Sequence, residues 1–344
     1  MQMSTTPPLP GGSGRRAAPA GLAAGAPLSR IADVGGALWL VADQLAGAER
    51  ELARLVISDV AAVPAVAGHL VAAGGKRLRP ALTALGAVAI GYDRPIHRLM
   101  CAGELLHLGS LLHDDVVDDG AVRRGRPAAH VLYGNAVSVL TGDFCLARAV
   151  LLASEEGGHA CVTALSRAVV EMAEGEVLQL QRAGDLSTDR ATYFDVVERK
   201  SAALIAWCVS ATAHASEDAP RAAALEHFGR AVGIAFQITD DVIDYFDGTG
   251  KAAGADLRDR KVTLPLLFAM EADPGLRDEL EAGADDARIP VWIDRIRASG
   301  AIERALGEAR DRVDAASVAL DVLPDGPGRD ALLVLGRHLV ERVR

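Results

Sequence analysis

Apolar residues recur along most of the chain at the three- and four-residue intervals that line one face of a helix. Alanine, leucine and valine supply them, and the alternation of aromatic residues typical of strands is scarce, which predicts an all-α fold. The periodicity predicts helices over 37–57, 63–73, 81–90, 100–119, 136–152 (interrupted near Gly142-Asp143), 161–183, 192–213 and 222–247. Another helix opens at Thr263-Leu264-Pro265, and ordinary amphipathic helices follow over 289–299, 301–320 and 329–343. Gly74-Gly75 stops the second helix in a tight turn, and Pro80 suits the first turn of the third.

Two places break this pattern. After the apolar run 105–112 comes His113-Asp114-Asp115-Val116-Val117-Asp118-Asp119, where crowded like charges destabilise an ordinary helix. Glu104, His107, Ser110, Asp114 and Asp118 share one helical face, a polar stripe that predicts the wall of a cavity with metal at one end. Taken alone, the run reads equally well as a solvated acidic helix end. A second run follows the apolar stretch 231–236, with Gln237, Asp240, Asp244 and Asp247 on one face and Asp241 beside them. Two D-D-x-x-D helices suggest two walls of one site. Hard divalent cations take oxygen ligands, and Mg²⁺ binds through one or two carboxylates together with substrate phosphates. The pair therefore points to a phosphorylated substrate held by Mg²⁺.

Cations stand where such a substrate needs them. Lys76, Arg77 and Arg79 open a helix, opposing its dipole, which makes sense with an anion nearby. Arg123, Arg124 and Arg126 follow the first aspartate run, either as surface ion pairs or as diphosphate clamps. Lys200-Ser201 borders an apolar run, where a lysine also simply snorkels. The loop from Gly248 to Lys261 carries Lys251, Asp256, Arg258, Asp259, Arg260 and Lys261 and suits a lid. A net charge of −10 argues against a nucleic-acid partner. Cys101, Cys145, Cys161 and Cys208 lie far apart in apolar runs without zinc spacing, as buried thiols of a reducing cytosol do. Apolar runs are too short to predict a transmembrane segment. Residues 1–29, rich in Pro, Gly, Ala and Ser, share the bias of a transit peptide. Prolines at 7, 8 and 10 disfavour a targeting helix, so a disordered tail is expected.

In order and spacing, Gly74-Gly75-Lys76-Arg77-Leu78-Arg79-Pro80, Leu111-Leu112-His113-Asp114-Asp115-Val116-Val117-Asp118, Arg123-Arg124-Gly125, Gly142-Asp143-Phe144, Lys200-Ser201-Ala202, Phe236-Gln237-Ile238-Thr239-Asp240-Asp241 and Lys261-Val262-Thr263-Leu264-Pro265 resemble the trans-isoprenyl diphosphate synthases, the polyprenyl synthetase family. The likeness runs from about Val71 to Pro265 and is weaker beyond. It implies a single-domain isoprenoid-synthase helical bundle around a central cavity, spanning 30–344. The activity it implies is head-to-tail condensation of isopentenyl diphosphate onto an allylic diphosphate primer. A cytoplasmic homodimer is implied too, with three Mg²⁺ ions when substrate is bound and Mn²⁺ able to substitute.

Carried over residue by residue, the resemblance gives metal to Asp114, Asp118 and Asp240, with Asp115, Asp241 and Asp244 supporting them as ligands or from behind. Arg123, Lys200, Lys251 and Lys261 would bind the allylic diphosphate, and Ser201 keeps the hydroxyl of the family's usual threonine. Gln237 would face the developing carbocation. Lys76, Arg79, His107 and Arg124 would hold the second diphosphate without metal. Small residues at Gly109 and Ser110, where short-chain members carry bulky aromatics, imply an open cavity floor. A medium- or long-chain product of the quinone side-chain kind is then expected. Two departures touch the lid: a shorter loop between Asp244 and Lys251 than in short-chain members, and Arg260 in place of a glycine. The alternatives are a short-chain farnesyl or geranylgeranyl synthase, a class I terpene cyclase, and a non-catalytic subunit of a heteromeric synthase. Asp240-Asp241-x-x-Asp244 and the Lys76/Arg79 turn oppose the cyclase, and the intact motifs oppose the inert subunit.

Overall fold

The computed structural model describes residues 31–246, 253–283 and 286–342. The expected N-terminal tail, Asp247 and Lys251 lie outside the described residues. The chain forms α1 (Val34–Leu40), α2 (Ala42–Leu55), α3 (Ala62–Ala72), α4 (Leu78–Ile90) and α5 (His97–Val117), then a two-stranded hairpin, β1 (Val122–Arg123) and β2 (Arg126–Pro127). There follow α6 (Ala129–Tyr133), α7 (Asn135–Gln181), α8 (Arg190–Val197), a π-helical turn at Glu198–Ala202, α9 (Ala203–Ala215) and α10 (Ala219–Ile243). The last third holds α11 (Ala255–Arg258), α12 (Leu264–Ala272), α13 (Pro274–Glu281), α14 (Ile289–Ala298), α15 (Ala301–Ser317) and α16 (Pro327–Glu341). The all-α expectation holds. The sequence pattern missed the hairpin, α6, α11 and α13, all too short for periodicity to register.

α9 forms the centre. Every residue in it except His214 is buried, as a helix apolar on all sides must be. α5 lies against α7, and Leu105, Leu106, Leu108 and Leu112 of α5 are at most 1% exposed. Each such leucine stabilises the fold by roughly 2 kcal/mol. The α5–α7 crossing is close because two glycines meet: a Cβ on Gly109 would lie 2.8 Å from the Gly142 carbonyl oxygen. Gly142 therefore continues the helix instead of interrupting it, and the break falls at Gly158, whose φ of 70° only glycine adopts readily. α7 holds a stretch long and apolar enough to cross a membrane by length and composition, with 39% of that window buried in the fold.

The predicted helix 192–213 is divided by the π turn. Gly175 of α7 packs onto that turn, and a Cβ there would stand 2.6 Å from the Lys200 nitrogen. Such turns re-aim side chains at functional sites. Here it presents Lys200 and Ser201 to the space between the ends of α5 and α10.

Candidate active site

A cavity of about 370 Å³ opens there, lined among others by Asp118, Glu176, Lys200, Gln237, Asp241 and Lys261. Both aspartate helices reach it, with their carboxylates sorted by face. On α5, Asp115 turns inward, 1% exposed, and its Oδ1 accepts from Arg123 Nε at 2.7 Å and lies 2.6 Å from Nη2. Arg123 is thus tied to Asp115 and Asp115 to Arg123. Asp114 and Asp118 take the opposite side. Burial, then Glu176 close by, pushes Asp114 up to about 6, against the pull of Lys200 and Arg123. Glu176 Oε2 lies 2.5 Å from Lys200 Nζ.

The second wall is a hydrogen-bonded relay. Ser201 Oγ donates to Gln237 Oε1 (2.7 Å), Gln237 Nε2 donates to Asp241 Oδ1 (2.8 Å), and Tyr193 Oη donates to Asp241 Oδ2 (2.7 Å). Both Asp241 oxygens accept, so Asp241 turns the amide nitrogen of Gln237 toward itself and the carbonyl toward Ser201. Asp244 faces α11: its Oδ1 and Oδ2 accept from the Ala255 and Asp256 backbone nitrogens at 3.2 and 3.0 Å. Lys261, beyond α11, lies 3.2 Å from Asp259. Arg260, at φ 55°, holds the left-handed backbone that the expected glycine would favour.

A separate cluster of cations forms where the 74–80 turn meets the hairpin. Arg124 and Gly125 occupy its two-residue turn at φ 52° and 73°. The Arg124 guanidinium lies over Gly75, where a Cβ would come within 3.2 Å of it. Burial, then Arg79, Arg124, Arg123 and Arg77, holds His107 well below its ordinary range. Arg79 Nε is buried without a hydrogen-bond partner, a donor awaiting an acceptor. Arg77 is different. It donates to Glu104 Oε1 at 2.7 Å and pairs with Glu49, so Glu104 anchors the turn and does not line the cavity as the polar stripe suggested.

Three residues that sequence reasoning passed over stand in the site. Glu176 had the signal of an acid beside a glycine on α7, and Tyr193 had none. Arg342, at the end of α16, donates through Nη2 to Asp240 Oδ1 at 2.5 Å and to the Phe236 carbonyl at 3.1 Å. Among the described residues, no three acidic, histidine or cysteine side chains converge to hold a metal by themselves. Asp114, Asp118 and Asp240 carry the oxygen donors that Mg²⁺ takes, and substrate phosphate oxygens would be needed to complete its shell. The raised Asp114 marks a buried anion short of positive charge, as that arrangement requires.

An all-helical bundle with two aspartate walls over one cavity, and a cluster of cations beside it, defines a class of enzymes that handle two diphosphates. Within it, the chain belongs to the polyprenyl synthetase family, whose model matches residues 60–288, and it is a trans-prenyltransferase of that family. It is 37% identical over 317 residues to octaprenyl diphosphate synthase of Escherichia coli, covering 89% of this chain and 98% of that one. Among solved structures it resembles the polyprenyl synthase of Caulobacter crescentus complexed with calcium and isoprenyl diphosphate (TM-score 0.85, 39% identity, 91% of this chain and 98% of that one). It also resembles a decaprenyl diphosphate synthase from Rhodobacter capsulatus (TM-score 0.84, 36% identity, 90% and 99%).

Proposed function

We propose that this enzyme condenses isopentenyl diphosphate head-to-tail onto an allylic diphosphate and repeats the step to a medium- or long-chain trans-polyprenyl diphosphate, of the quinone side-chain kind. The observation that carries the reading is the separation of two anion sites. The cavity between α5 and α10 offers carboxylates, Lys200 and Lys261, whereas the cluster of Lys76, Arg79, His107 and Arg124 offers cations and a buried unpartnered donor. The first suits a diphosphate that must depart, the second a diphosphate that stays.

Asp114, Asp118 and Asp240 would hold Mg²⁺, which neutralises charge on the leaving diphosphate when bound. Lys200 and Lys261 orient that diphosphate. Asp115 holds Arg123 at its edge, and the family resemblance adds Lys251 to this set. The Gln237 carbonyl, fixed by Asp241 and Ser201, faces the cationic carbon with its remaining lone pair. The second substrate's alkene attacks that carbon, and its proton passes to the released diphosphate, so no protein base is assigned. Asp244 positions the lid through α11. Ser110 and Gly109 stand below Asp114 on α5 at about 1.5 Å of rise per residue, the direction a growing chain would take.

The reading extends to a homodimer. Leu140, Leu151, Val170 and Val177 on α7 are each at least 46% exposed and offer an apolar face to a second copy. The four buried free cysteines support a cytoplasmic setting. The deciding experiment gives the purified full chain radiolabelled isopentenyl diphosphate, allylic primers of several lengths and Mg²⁺, and separates the dephosphorylated products. Chelator-sensitive products beyond twenty carbons are expected. A wild type that stops at fifteen carbons with isopentenyl diphosphate in excess would overturn the chain-length assignment, and chelator-resistant turnover the metal assignment.

A further inference from the structure

Arg342 caps the C-terminal end of α16, in a segment whose sequence pattern holds no sign of chemistry. The fold carries its guanidinium to the second aspartate wall. There the side chain is 9% exposed, stacks 4.2 Å from the centre of the Phe236 ring, and donates to both Asp240 Oδ1 and the Phe236 carbonyl. Its partner is the carboxylate that leads the second D-D-x-x-D run. Asp241 behind it is engaged by Tyr193 and Gln237, and Asp244 by the α11 backbone. Of the three, Asp240 is the one on which a guanidinium sits.

A guanidinium and a divalent cation on the same carboxylate oxygen exclude one another, by contact and by like charge. Arg342 does not act alone on Asp240: Lys76 and then Arg79 are the next cations around it. Lys76 in turn feels Arg342 as its strongest charged neighbour. One carboxylate therefore stands among three cations, two of them from the cluster assigned to the second diphosphate. Adding a metal ion to that group without bringing an anion raises the local positive charge further.

We infer that Arg342 is a positioning residue that occupies Asp240 in place of a metal ion, so that metal enters the second wall only when Arg342 moves off. A diphosphate arriving beside Lys76 and Arg79 gives the guanidinium somewhere else to bind, which couples the two substrate sites through one side chain. This rests on the reading of Asp240 as a metal carboxylate.

The test is Mn²⁺ binding to the full chain without substrate, followed by electron paramagnetic resonance and calorimetry, in wild type, Arg342→Ala, Arg342→Gln, Arg342→Lys and Asp240→Asn. Arg342→Ala and Arg342→Gln should bind Mn²⁺ roughly tenfold more tightly than wild type, the scale of one ion-pair partner of about 1.4 kcal/mol. Arg342→Lys should stay near wild type, and adding Asp240→Asn to Arg342→Gln should abolish the gain. A general packing lesion does not tighten metal binding, and the glutamine variant carries the test where alanine disturbs the buried Nε. Unchanged Mn²⁺ affinity in both neutral variants, or a gain that persists without Asp240, overturns the inference. Turnover of isopentenyl diphosphate by the wild type is assayed separately, so loss of the enzymatic reading is told apart from loss of this one.

Discussion

Lys200 Nζ lies 2.5 Å from Glu176 Oε2, joining the π turn to the second half of α7 across the mouth of the cavity. Both side chains are partly exposed, at 28% and 22%, so the pair is worth under about 1 kcal/mol. It nonetheless occupies the ammonium proposed above to orient the departing diphosphate.

Glu176→Gln should therefore lower the KM for the allylic primer by roughly two- to fivefold, the equivalent of that pair, and leave the KM for isopentenyl diphosphate unchanged. Lys200→Ala should raise the first without the second. Steady-state kinetics with each substrate varied in turn checks both, and an equal change in the two constants would show that the diphosphate sites are not separate.

Asp114 predicts a conflict between stability and activity. Its folded-state pKa, about 6, lies above the ordinary carboxylate value, so the folded state prefers the neutral form. The preference is satisfied at pH 4 and lost as pH rises through 6, costing up to about 3 kcal/mol at pH 8 before solvent screening reduces it. Asp114→Asn should then raise the melting temperature of the metal-free protein at pH 8, add nothing at pH 4, and remove most turnover. Equal effects on melting at both pH values would contradict the placement of this carboxylate.

Ser110 and Gly109 give different outcomes despite adjacent places on α5. Ser110 is half-buried and its hydroxyl donates to the His107 carbonyl, so Ser110→Phe should shift products to shorter chains while condensation continues. Gly109 meets the backbone of α7, and Gly109→Phe should destabilise by at least about 1–3 kcal/mol as the crossing is forced apart. Product chromatography and denaturant unfolding separate the two, and a stable Gly109→Phe with shortened products would place the floor at Gly109 instead.

Arg260 holds φ 55° just past α11, with its carbonyl accepting from Gly184 at 2.9 Å. Left-handed backbone costs a non-glycine residue about 1 kcal/mol, partly offset by the extra unfolded-state freedom of glycine. Arg260→Gly should raise the melting temperature by about a degree or two. A fall would mean that the arginine side chain contributes more than its backbone costs.

The sequence by itself determined most of the helices and the two aspartate runs, because periodicity and motif spacing are local properties of the chain. It placed Asp114 and Asp118 on one face, and Asp240 and Asp244 on another, since a helix allows little else. It also marked Arg260 as standing where glycine is usual. Only the tertiary structure decided which carboxylates remain open. Asp115 is taken by Arg123, Asp241 by Tyr193 and Gln237, and Asp244 by the backbone of α11. Glu104 left the polar stripe for Arg77, and Gly109 faced a neighbouring helix, because helical spacing says which residues share a face but not what packs against it. Arg342 reaches Asp240 from 102 residues away. Its helix looks like any amphipathic helix, and only the packing of α16 beside α10 turns an ordinary terminal arginine into a neighbour of Asp240.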